Sequence, residues 1–297
     1  MNVLEFAEKI RKNEIDIVEH TEKIIEDCNK INKEYNYFNT ISGELALQQA
    51  HELKKLIKNR DKSIKNKKLL GVAISVKDSI CVKGVESTAG SRILQGYKPL
   101  FNATVIEKVI KEGGIIIGKT SQDEFGFGSF STNAGIGFKI PKNPIDKERS
   151  CGGSSGGAAG LAKKADFPHI ALGESTGGSI ASPASFCDVF GLCPTYGRNS
   201  RYGLLDYGNS LDKIGPIGKT CYETALLQEA IAGHDPNDST SLDSVADDYT
   251  KFIGKPAKGM KIGIIKEAFG EGNDEHVENH VNGGIERLKE DGVEFEE

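Results

Sequence analysis

No stretch of this chain approaches the roughly 20 consecutive apolar residues that a membrane-crossing helix requires. Its longest apolar runs, such as residues 114–118, are strand-sized. The opening residues, MNVLEFAEKIRKNEIDIVEH, mix acids and bases without the apolar centre of a secretory signal, so a cytoplasmic protein with no membrane contact is the expectation. Cysteine is sparse and scattered. The six (Cys28, Cys81, Cys151, Cys187, Cys193 and Cys221) include no CxxC pair and no framework spacing, which argues against a structural metal and for reduced thiols. Excess positive charge is also lacking: a net charge of −5 argues against a dominant nucleic-acid-binding surface. One local exception is residues 54–68, with eight Lys/Arg against the single acid Asp61. A solvated helix end and loop accounts for it, and an RNA-facing patch is the sharper alternative.

What remains is an ordinary globular composition, 37% hydrophobic and 27% charged over 297 residues, long enough for a large α/β core. Apolar residues at three- and four-residue spacing predict helices over 3–11, 17–31 and 44–58, so the first 65 residues are expected to be helical. From about residue 69 the texture changes to short apolar strands (71–76, 115–118, 170–172, 261–265) alternating with helices and glycine-rich turns. That alternation predicts one α/β domain, a large mixed sheet flanked by helices on both faces. Its catalytic core spans 69–240, and 255–297 opens a C-terminal part. Residues 234–248 are polar and acidic and are expected to form a surface loop. At the end, a strand over 259–265, a helix over 274–289 and the start of a strand at 292–295 predict an unfinished unit, hence further sequence beyond residue 297.

The chemistry-bearing region is rich in glycine and serine. Cys151-Gly-Gly-Ser-Ser-Gly-Gly-Ala158 and Gly173-Glu-Ser-Thr-Gly-Gly-Ser179 supply hydroxyls beside unhindered backbone amides, the requirements of a nucleophile next to an oxyanion hole. Histidine, the usual base, is nearly absent there. His169 alone lies in the region and is expected at a loop or strand edge. Lysine is the other activator of serine, and Lys77 leaves the end of the apolar strand 71–76. Burial at such a place, with hydroxyls rather than carboxylates as partners, would favour an uncharged amine able to act as a base.

Three other signals weigh less. Residues 113–120 (GGIIIGKT) fit GxxxxGK[ST], yet the variable positions are Ile-Ile-Ile, the strand itself rather than a phosphate-cradling turn. Gly152-Gly-Ser154-Ser-Gly156 fits GxSxG, but the preceding residues are too polar for the buried strand that a nucleophile elbow needs. His276 and His280 are spaced i, i+4, with no glutamate placed for a zinc protease helix, and a surface helix is preferred.

Val76-Lys77-Asp78, Gly153-Ser154-Ser155-Gly156-Gly157, Thr176-Gly177-Gly178-Ser179 and residues 182–191 (SPASFCDVFG) together resemble the amidase-signature family. That resemblance implies the family's fold and a Ser–Ser–Lys triad: Lys77 as base, Ser154 as relay after a cis peptide, and Ser179 as nucleophile. The amides of Thr176, Gly177, Gly178 and Ser179 would form the oxyanion hole. Pro194-Thr-Tyr-Gly-Arg198, Ser200-Arg-Tyr-Gly-Leu204, Ser210-Leu-Asp212, Ile214-Gly-Pro216 and residues 232–240 (AGHDPNDST) resemble the branch of that family serving tRNA-dependent amidation, in an archaeal-like version. Such a protein would hydrolyse glutamine and pass ammonia to partner subunits B and C, which act on Glu-tRNA(Gln). ATP and magnesium would be used by the partner, with no cofactor bound by this chain. Alternatives are a stand-alone amide hydrolase and a truncated, non-catalytic assembly partner. Departures from the family pattern include Ser175 where aspartate is common and Ala181 where arginine is common.

Overall fold

The computed structural model describes residues 1–296. Helix α1 (Val3–Arg11) starts at Asn2, whose side chain accepts the Glu5 amide, and buries Val3, Phe6, Ala7 and Ile10, the stripe set by its sequence spacing. Helix α2 (Ile17–Tyr35) is capped by Asp16 and stops where Asn36 turns left-handed. Helix α3 (Gly43–Lys58) follows after a strand that the helical periodicity did not reveal, β1 (Phe38–Ile41). Four residues are too few to display a period.

Strands β2 (Ala73–Lys77), β3 (Ile115–Thr120) and β4 (His169–Ser175) are buried at every position, the condition of strands covered on both faces. Helix α4 (Thr104–Lys111) leads into β3 and α5 (Gly156–Lys164) into β4. The chain continues through α6 (Ala181–Phe186), β5 (Phe190–Gly191), β6 (Lys213–Gly218) and α7 (Cys221–Ile231). The sheet order is β1-β3-β2-β4-β6-β5. β2 runs parallel to β3 and β4, whereas β1 and β6 run antiparallel to their neighbours, so the sheet is mixed as expected.

The GxxxxGK[ST] residues lie in and just before β3. Gly118 sits where the β2–β3 register shifts, and a Cβ there would overlap the Thr40 carbonyl of β1. Lys119 is fully buried and donates to Asp78 Oδ1 at 3.3 Å and Ser87 Oγ at 2.7 Å, so its amine is committed inside the core. Burial pushes that amine down in pKa while Asp78 opposes the shift.

The basic stretch 54–68 covers the end of α3 and a 3₁₀ turn (Lys62–Asn66). Part of its charge is absorbed internally: Lys54 pairs with Asp16, Lys67 caps the Lys111 carbonyl, and Lys68 meets Glu229 at 3.3 Å. Residues 234–248 form no helix or strand, yet Asp235 and Asp238 are buried. Asp235 anchors the segment by accepting from Ser200 and Thr104, both at 2.5 Å. Among the described residues no helix is long and apolar enough to cross a membrane.

The chain divides into two compact units, Met1–Lys251 and Phe252–Glu297. The second holds β7 (Lys261–Gly263), α8 (Glu275–Glu290) and β8 (Glu294–Glu296). β8 pairs parallel with β7, Lys261 opposite Glu294. The expected strand, helix and opening strand are all present, the first strand shorter than the apolar run suggested. His276 and His280 lie on α8, exposed.

Candidate active site

The parallel alignment of β2 and β4 brings their C-terminal ends to one edge of the sheet, where α/β folds commonly place their ligands. Lys77, the last residue of β2, meets Glu174, the penultimate residue of β4. Both side chains are buried, at 0% and 3% exposure, with Lys77 Nζ 2.7 Å from Glu174 Oε2. Lys77 also donates to Ser154 Oγ at 2.7 Å and to the Glu174 carbonyl at 3.0 Å. The expected Lys77–Ser154 contact is present. The expectation of hydroxyl partners alone is wrong, because a carboxylate from the neighbouring strand faces the amine.

Ser154 is held by the loop leading into α5, and the Gly153–Ser154 peptide is cis. Under this loop lies Asp123, which accepts from the amides of Ser131 at 2.9 Å and Asn133 at 2.8 Å. A Cβ at residue 153 would overlap that carboxylate, so glycine is required there. A Cβ added at Gly126, whose φ is 82°, would touch both Ser154 Oγ and Glu174 Oε2. Phe127 packs at a tilt against Tyr207 next to it, ring centroids 4.2 Å apart.

The two glycine–serine loops are joined through the Ser155 amide, which donates to the Ser179 carbonyl at 3.3 Å. Ser179 is nearly buried, at 9% exposure. Its hydroxyl makes no hydrogen bond among the described residues, so the structure joins Lys77 to Ser154 but leaves the Ser154–Ser179 link open. The loop engages its neighbour through the Ser179 backbone, leaving the side chain to rotate. Gly177 and Gly178 are exposed. The amides of Gly177, Gly178 and Ser179 have no intramolecular acceptor among the described residues, the state required of donors that await an oxyanion. Thr176 fixes the base of this loop: its hydroxyl lies 2.5 Å from Asp212 Oδ1 and 3.2 Å from Glu174 Oε1. Asp212 is itself held by the amides of Tyr207 and Gly208.

His169, expected at a loop or strand edge, is the first residue of β4 and is buried. It meets Ser75 Oγ at 2.9 Å, and burial pushes its pKa down to about 3, so it is neutral at ordinary pH and takes no part in the site. Glu174, Asp212 and Asp123 do not stand out as site residues from sequence. A lone acid within the buried strand segment HIALGES was the available signal for Glu174, because unpaired charge is costly there.

The chain is a member of the amidase family, whose profile, described as Amidase, matches residues 19–297. It is similar to the A subunit of glutamyl-tRNA(Gln) amidotransferase from Thermoanaerobacter pseudethanolicus, 42% identical over 295 residues, covering 99% of this chain and 59% of the relative. The corresponding protein of a Cyanothece species is 43% identical over 296 residues, covering 100% of this chain and 60% of the relative. The crystal structure of the same amidotransferase component from Thermotoga maritima superposes with a TM-score of 0.78 at 33% identity, over 93% of this chain and 58% of that one. The chain thus spans about three fifths of the length of these relatives.

Proposed function

We propose that this chain carries the amide-hydrolysing core of a glutamine-dependent tRNA amidotransferase, acting as its glutaminase component. The observation that carries this reading is the Lys77–Ser154 hydrogen bond, in a loop tied to the Ser179 loop, beside three amides that are unpaired among the described residues. Ser179 Oγ attacks the glutamine amide carbon, Ser154 and Lys77 take its proton, and the amides of Thr176, Gly177, Gly178 and Ser179 hold the oxyanion. Ammonia leaves, and water releases glutamate from the acyl-enzyme. In the assembled complex, subunits B and C would receive the ammonia and use ATP and magnesium to amidate Glu-tRNA(Gln) in the cytoplasm. The similarity to the amidotransferase sequences supports the assignment over a stand-alone amidase.

The test is covalent labelling with an electrophilic glutamine analogue, in the presence of subunits B and C, followed by peptide mapping. The expected adduct lies on Ser179, and Ser179→Ala abolishes both adduct and ammonia release. An adduct on Ser154 instead would make Ser154 the nucleophile. Absence of any adduct or ammonia release in the complex would leave the chain a non-catalytic assembly partner.

A further inference from the structure

We propose that the base of this site is the Lys77–Glu174 pair, in which Glu174 stores the proton that Lys77 must release before it can accept one from serine. The inference rests on the amide-hydrolase reading above. An ammonium has three N–H bonds, and Lys77 Nζ has three acceptors: Ser154 Oγ, the Glu174 carbonyl and Glu174 Oε2. These three contacts can take all three N–H bonds of an ammonium, and a lysine held so has no lone pair with which to deprotonate Ser154. Lys77 is also fully buried, which removes direct release of the proton to solvent. Glu174 Oε2, 2.7 Å away, is the carboxylate in contact.

Transfer of one proton from Nζ to Oε2 breaks an N–H bond and forms an O–H bond. It turns an ion pair into an amine and a carboxylic acid without changing the net charge, and burial disfavours the charged form of both partners. The freed lone pair faces Ser154. As the Ser179 Oγ–carbon bond forms, the proton of Ser179 moves to Ser154 Oγ and that of Ser154 moves to Lys77 Nζ. When the carbon–nitrogen bond breaks, a proton returns through Ser154 to the leaving nitrogen, and Glu174 then gives its proton back to Lys77. Every proton is accounted for within the relay. Glu174 touches no substrate in this scheme; it acts through Lys77.

The surroundings favour Glu174 as the acceptor. Its second oxygen shares the Thr176 hydroxyl with Asp212, but that hydroxyl is closer to Asp212, at 2.5 Å against 3.2 Å. Asp212 also receives two backbone amides. The other charged groups nearby are Lys213, whose amine donates to the Thr176 carbonyl at 3.3 Å, Asp123 under the Ser154 loop, and the Asp78–Lys119 pair beside Lys77.

The experiment follows the rate of Ser179 labelling by a fluorophosphonate, using the full 297-residue chain, from about pH 6 to about pH 9. A serine attacking phosphorus with loss of fluoride needs the base but no glutamine pocket. A pair that transfers its proton internally gives the wild type a flat profile. In Glu174→Gln the lysine proton must go to solvent, so labelling falls below wild type toward pH 6 and rises with pH, by up to about tenfold per unit, until the buried amine is bare. Glu174→Ser, smaller and uncharged, gives the same rise and serves if the glutamine variant does not fold; melting temperatures check both. Labelling of Glu174→Gln as fast as wild type down to about pH 6, or a wild-type profile that itself climbs tenfold per unit, would overturn the inference and leave Glu174 a counter-ion. A folded wild type that labels on Ser154 or not at all refutes the triad reading, and this inference with it.

Discussion

Burial determines the protonation of His169 at the start of β4. The unfolded chain binds a proton at histidine near its ordinary value, about 6.5, whereas folded His169 does so only near about 3. Between those values the unfolded state binds more protons, so stability is fully present above about pH 6.5 and is lost as pH falls. The loss is at most about 1.4 kcal/mol per pH unit from this group. His20, lowered mainly by burial as well, adds in the same direction. His169→Gln retains a polar partner for Ser75 and cannot titrate. The difference between its urea midpoints at pH 7 and pH 5 should therefore be smaller than in wild type, and an unchanged difference would show that His169 opens to water. At this scale the sequence displayed Lys77, Ser154 and Ser179 through their motifs. It did not display which carboxylate meets Lys77, because that depends on the register of two strands 97 residues apart. Nor could it show that the Ser179 hydroxyl would be unbonded, which depends on the side-chain rotamer.

Gly118 serves as a test of how elements fit together. The letters around it match a phosphate loop, but the three isoleucines before it are core residues of β3, and glycine is needed because β1 crosses too closely for a side chain. Gly118→Ala should lower stability by about 1–3 kcal/mol, as overpacking does, and detach β1 from the sheet edge. Denaturant melts together with hydrogen exchange at residues 38–41 would show it. Unaltered protection of those amides would mean that the strand shifts to accommodate the methyl at little cost. The N-terminal helices were legible because 9 to 19 residues give several turns of a period. The sheet was legible through the short apolar runs of its central strands. β1 was not, and the pairing of β8 with β7 was not, since both depend on partners distant in sequence rather than on any local pattern.

Over the whole molecule the two units differ in how much they bury. In Met1–Lys251 the central strands are sealed on both faces, whereas α8 buries none of its side chains and the sheet of Phe252–Glu297 has only two strands. A sheet of two strands is marginal, so amides at 261–263 and 294–296 should exchange at least about 100-fold faster than those of β2 and β4. Equal protection measured by mass spectrometry would show that the second unit is as stable as the first. The two buried ion pairs have a different consequence, one of addressing. Lys119 on β3 finds its counter-charge at Asp78, just past β2, and Lys77 on β2 finds its own at Glu174 on β4. Each pair ties one strand to the next. An arrangement that exchanged β3 and β4 with other neighbours would leave a buried charge unmatched, at a cost of about 3–5 kcal/mol for each broken pair. The charges therefore encode adjacency along β3, β2 and β4, a message that apolar strands, interchangeable in their greasiness, could not carry.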